Sequence, residues 1–152
     1  MGRTAVRKTR VSCDRVWEVL SDGWIFPSWV VGASRVRAVD AEWPRVGARI
    51  HHSVGMWPAL LDDSTEVVGS VPGVELLLHA RAWPFGTAEI RIRLRERDGE
   101  CEIEMIEHGI SRPESWLPDS LQDWAVYPRN RECLRRLALI AERATDPSAG
   151  DV

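Results

Sequence analysis

The stretch "GECEIEMIEHG", residues 99–109, places carboxylates where chemistry would need them. Read with the two-residue period of a strand, Cys101, Ile103 and Met105 share one face, and Glu102 and Glu104 take the other. The same period then turns Ile106 outward and Glu107 inward, among apolar side chains. A carboxylate in an apolar cavity is costly unless it is paired or protonated, and burial disfavours its charged form. Such an environment can prepare a general acid or base. A bulge near Met105 would instead turn Ile106 inward and return Glu107 to solvent, so two readings stand at this stage.

A second titratable group comes from "RIHHSVG". Ile50, His52 and Val54 share a face and His51 lies on the other, so His52 is expected inside. It is either a satisfied core histidine or the partner of Glu107 in acid/base work. Residues that could line a ligand site are Trp29, Trp57, Leu78, Met105, Trp124, Tyr127 and Asn130. Several of the eight tryptophans adjoin prolines, which fix turns and break ladders, so they belong to strand ends and loops. They either anchor loops by packing or wall the mouth of an apolar pocket. For Asn130 the alternatives are a hydrogen bond at the helix start and a ligand contact. The four histidines show no metal-ligand spacing, and no phosphate loop or nucleophile elbow is present, so no cofactor is expected.

The elements that must position these groups follow from local patterns. Asp98-Gly99 is a two-residue hairpin signal. Counting outward sets Arg95 opposite Glu102, Arg93 opposite Glu104, Leu94 opposite Ile103, Ile92 opposite Met105 and Ile90 opposite Glu107. The alternating arginines are thereby explained as a solvated face with cross-strand ion pairs. Earlier, a strand is expected over 3–11, then a helix in "VSCDRVWEVLSDG" capped by Ser12 and followed by Gly23. A short helix or turn covers "WIFPSWV", and two strands flank a loop through Pro44 and Gly47. Further strands cover "STEVVGSV" and "VELLLHARAW", the latter with Leu76, Leu78, Ala80 and Ala82 on one face. Near the end, Pro118 and Asp119 start a short helix through Trp124, and Pro128 opens a longer one. Leu134, Leu137, Ala138 and Ala141 form its apolar stripe, with Asn130 one turn earlier.

The chain has 152 residues, 28% of them charged, and a net charge of -3. That length fits one domain, expected over 1–145 with a disordered tail over 146–152. The charge disfavours a general nucleic-acid surface, and there is no apolar run long enough for stable membrane insertion. The N-terminus is not a secretory signal. Cys13, Cys101 and Cys133 lack any CxxC spacing and read as free thiols in a reducing, cytoplasmic setting.

One strand, two short helices, a series of antiparallel strands and a long C-terminal helix resemble the START-like helix-grip superfamily. The segments "DRVWEVLSDGWIFPSWVVGASRVRAVDAEWPRVGARI", "ARAWPFGTAEIRIRL" and "RNRECLRRLALIAE" look most like its polyketide cyclase/dehydrase branch. The resemblance implies an α+β fold in which a curved antiparallel sheet wraps the C-terminal helix around a cavity for an apolar ligand. It implies a carrier or binding module for a small hydrophobic molecule, a lipid or an aromatic, polyketide-like metabolite. The alternative is a cofactor-independent cyclase or dehydratase using Glu107 and His52. A third reading has a collapsed pocket and exposed tryptophans that meet a protein partner. No catalytic motif is shared across the superfamily, so no catalytic residue transfers by resemblance.

Overall fold

The computed structural model describes the backbone of residues 3–54, 58, 61–81, 86–111 and 119–143. Side chains are described for the same residues apart from 34, 54, 61, 111 and 119–125. The expected tail lies outside these residues.

Strand β1 (Ala5–Thr9) leads into helix α1 (Cys13–Ser21). The Ser12 side chain caps α1 by accepting from the Arg15 backbone N–H. A single 3-10 turn over Gly23–Ile25 runs into the short helix α2 (Phe26–Trp29). Six strands follow: β2 (Ala33–Val39), β3 (Arg49–Val54), β4 (Leu61–Val71), β5 (Glu75–Arg81), β6 (Thr87–Arg97) and β7 (Glu100–Ser111). Helix α3 (Asp119–Arg143) closes the described chain.

All seven strands form one antiparallel sheet in the order β1-β7-β6-β5-β4-β3-β2. Helices α1 and α2 carry the chain from one edge strand to the other. Register shifts interrupt β2 twice, β4 between Val67 and Gly69, and β7 at Ile110, between its pairings with Thr87 and Ala88. Bulges raise the local twist and bend strands, which suits a sheet that must curl around a helix. The buried face carries Ile50, Val67, Leu76, Leu78, Ile92, Ile103 and Met105, facing Leu134, Leu137 and Ala141 of α3. The antiparallel sheet and the C-terminal helix packed on it are those the resemblance implies.

The β6–β7 hairpin has the register counted from Asp98-Gly99, with Ile90 opposite Glu107 and no bulge near Met105. Asp98 and Gly99 both take positive φ, as that turn requires. The ion pairs on its outer face are not the directly opposed ones expected. Arg95 reaches Glu104 and Arg97 reaches Glu102, each one pair along the ladder, while Arg93 turns to Glu75 on β5. Strand twist brings diagonal neighbours within reach of long side chains.

Two other expectations change. Gly23 follows the C-cap residue Asp22 but is not a left-handed helix cap, because its φ is not positive and it begins the 3-10 turn. Gly23 is glycine because the chain packs there without room: an added Cβ would lie 2.7 Å from Val39 Cγ1 and 3.3 Å from Ile50 Cδ1. Nor does Pro128 open a separate helix; it sits inside the single helix α3. Its missing N–H removes one helical hydrogen bond, and the apolar stripe packed on the sheet holds the helix continuous across it.

Gly23→Ala should therefore destabilise the fold by about 1–3 kcal/mol through overpacking. Urea unfolding followed by tryptophan fluorescence measures this, and an unchanged midpoint would mean that Val39 gives way freely.

Candidate functional site

The inward carboxylate is real, and it is paired. Glu107 is 9% exposed, and Arg129 Nη1 donates to both its oxygens at 3.0 and 2.9 Å. Arg129 Nε donates in turn to the Val31 carbonyl at 2.9 Å. One helical turn on, the Cys133 Sγ accepts from the Val31 N–H at 3.3 Å. Residues 129 and 133 of α3 thus hold both backbone groups of Val31, just after α2. Burial pushes the Cys133 thiol above its ordinary range, which keeps it a neutral acceptor.

Arg129 escaped the sequence reading. Its signal is its position four residues before Cys133, beside the apolar stripe. A buried carboxylate requires a cation, and Arg129 is placed at the flank of that stripe to supply one.

His52 occupies the inner face as expected, 4% exposed, while His51 points outward and meets Asp40 at 3.3 Å. The His52 Nε2 lies 2.8 Å from the Thr65 hydroxyl, and the ring stacks on Phe26 with centroids 6.0 Å apart. Its Nδ1 has no hydrogen-bond partner among the described residues. Burial lowers the His52 pKa below its ordinary value; Asp63 opposes this, and Arg37 and His51 add to it. The ring is neutral at physiological pH, with one nitrogen spare.

Asn130 is fully buried on the stripe of α3 that faces the sheet, and neither its amide nitrogen nor its oxygen has a hydrogen-bond partner among the described residues. It is not spent on the helix start. Trp29 is buried against Phe26, their rings edge-to-face at 5.3 Å. Leu78 and Met105 lie on the inner face of β5 and β7. Tyr127 is half-buried, with the guanidinium groups of Arg3 and Arg131 over its ring at 5.7 and 6.0 Å, so it also anchors α3 to the chain before β1. Trp57 lies outside the described residues, and Trp124 is placed only as part of the α3 backbone.

The register keeps Glu107 and His52 apart. The row through Glu107 crosses Ile90, Leu78 and Val67 and reaches Ala48, the residue just before β3. That is four strand spacings, about 19 Å along the sheet. His52 stands four residues beyond Ala48, a further 13 Å or so along β3. The two groups cannot share one proton directly. Helix α2 spans between them instead, with Phe26 against His52 at one end and Val31 against Arg129 past the other.

The sheet's convex face has a different character. A groove of about 360 Å³ there is lined by Arg49, Ser64, Glu66, His79, Arg81, Thr87 and Ile110. Arg49 and Glu66 pair at 2.8 Å, and Glu89 meets His79 and His108 at 3.1 and 3.4 Å. Among the described residues, no group of three or more metal-ligating side chains is arranged to hold an ion. No helix among them is long and apolar enough to cross a membrane.

No protein-family model matches the chain, and no curated protein does. Solved structures match over most of its length. Protein NE0264 from Nitrosomonas europaea is 14% identical with a TM-score of 0.72, over 94% of this chain and 95% of its own. Ara h 8.0201 is 10% identical with a TM-score of 0.65, over 93% and 98%. The di-domain ARO/CYC StfQ from the steffimycin biosynthetic pathway is 9% identical with a TM-score of 0.72. That match covers 93% of this chain and 50% of StfQ, half of the di-domain protein. At such identities the likeness is one of fold.

Two outcomes follow from the site's geometry. Arg129→Met strands a buried carboxylate and should cost about 2–4 kcal/mol, less than a fully buried pair because Arg129 is part-exposed. Adding Glu107→Leu should recover most of that loss in urea unfolding. His52 gives a pH signature. Its folded pKa lies below the unfolded value of about 6.5, so below that pH the unfolded chain binds the extra proton. Stability should fall as pH drops from about 6.5 towards the folded pKa, and His52→Gln should flatten the slope in unfolding midpoints measured between pH 7.5 and 5.

Proposed function

We propose, from the START-like helix-grip fold that these structures share, that this protein binds a small hydrophobic molecule between the inner face of its sheet and α3. Its role is that of a carrier or binding module. The observation that carries the reading is Asn130. A fully buried amide with donor and acceptor both unused is costly in a core built only for stability. A ligand with a polar group offering both an acceptor and a donor offsets that cost. The spare Nδ1 of His52 provides a second polar point, on the buried face of the sheet. Trp29, Leu78 and Met105 supply the apolar surroundings. A lipid or an aromatic, polyketide-like metabolite has this character.

The fold shared with an ARO/CYC protein favours a second reading, a cofactor-independent cyclase or dehydratase. In it, Glu107 and His52 would act on separate parts of one extended substrate, since they do not reach each other. The Arg129 pair weighs against Glu107 as a free acid or base. Binding therefore stands first. Glu107→Gln separates the two: an enzyme loses turnover while retaining ligand, and a carrier binds about as before.

Native mass spectrometry of the purified protein, compared with its denatured mass, should reveal a noncovalent adduct. Extraction should identify it as an apolar molecule bearing a polar group. Asn130→Leu should stabilise the empty protein and weaken binding of that molecule roughly tenfold, the worth of one or two hydrogen bonds. Unchanged affinity in Asn130→Leu would overturn the role given to this amide.

A further inference from the structure

Away from this site, two of the three cysteines meet. Cys13 is the first residue of α1 and Cys101 the second residue of β7, 88 positions later. Both are buried, at 7% and 0% exposure, and their Sγ atoms lie 2.7 Å apart. A covalent S–S bond is about 2.05 Å, so closure requires a further approach of about 0.65 Å. The backbone holds the pair in place from both sides. The β1–β7 ladder ends with Thr9 opposite Cys101, the Cys101 N–H donates to the Val11 carbonyl at 3.0 Å, and Ser12 caps the helix that Cys13 begins.

We propose that Cys13 and Cys101 form an intramolecular disulfide that staples the β1–α1 corner to the β6–β7 hairpin. The oxidant is a low-molecular-weight disulfide such as oxidised glutathione. One cysteine thiolate attacks it, forming a mixed disulfide and releasing one glutathione. The second cysteine thiolate then attacks the protein sulfur of that mixed disulfide and releases the other glutathione. Two protein thiols are oxidised, one glutathione disulfide is reduced, and both protons end on the glutathione thiols. Cys13 is the less buried of the two and makes the first attack. Burial and the Cys13 contact push the Cys101 thiol upward, so Cys101 stays protonated and unreactive until its neighbour is activated. Cys133 is committed to the Val31 N–H and takes no part. In a reducing compartment the pair persists as two thiols, and in an oxidising one it closes.

The test refolds reduced, denatured protein in a mixture of reduced and oxidised glutathione, so that burial does not limit access. The product is trapped with iodoacetamide and mapped by peptide mass spectrometry. Before alkylation the expected product is about 2 Da lighter than the reduced chain; after it, the Cys13 and Cys101 peptides are linked and only Cys133 is alkylated. Its melting temperature should drop by several degrees on adding reductant, because the bond closes a long loop in the unfolded chain. Cys133→Ser should give the same cross-link, and Cys13→Ser should give none. Three alkylated cysteines, a stable glutathione adduct, or a link through Cys133 would overturn the proposal. If Cys13→Ser fails to fold, the Cys133→Ser map decides the matter.

Discussion

The Glu107–Arg129 ion pair is the constraint on which the arrangement around it depends. A carboxylate on the inner face of β7 is tolerable only with a cation against it, and α3 delivers that cation. The same guanidinium holds the Val31 carbonyl, so the chain leaving α2 is fixed by the group that neutralises Glu107. Sheet, short helix and long helix meet at one side chain.

The other arm of the sheet is organised differently. His52 on β3 is kept neutral by burial, held by Thr65 and stacked on Phe26, yet one of its nitrogens is unused. Asn130 has both its polar atoms unused. Ion pairs that hold the fold are complete here, and the buried polar groups that are incomplete face the interior between sheet and helix. A core built for stability alone would carry an apolar residue at 130, and the proposed ligand contact accounts for the amide there.

The convex face shows the opposite solution. Arg49, Glu66, His79, Glu89 and His108 stand in register on five successive strands and alternate in type, so each carboxylate has a basic neighbour on either side. Exposed pairs of this kind contribute little individually, about 0–1 kcal/mol each. They keep a long sheet surface hydrated.

Much of this was legible in the chain. The Asp98-Gly99 turn and strict alternation dictate the β6–β7 register, because a one-residue slip would exchange the buried and exposed faces of both strands. That register turns Glu107 inward, and the same period separates His52 from His51. The stripe from Asn130 to Ala141 follows from helical periodicity. What lay beyond the sequence was every relation between distant segments: that Arg129 reaches Glu107, that Phe26 covers His52, and that Cys13 meets Cys101. The distance between Glu107 and His52 belongs with these, since it depends on how many strands intervene and on their order. Local patterning decides which way a side chain faces, since that depends on backbone period alone. Only tertiary structure decides what it faces, since that depends on how the sheet coils and where the helices cross it.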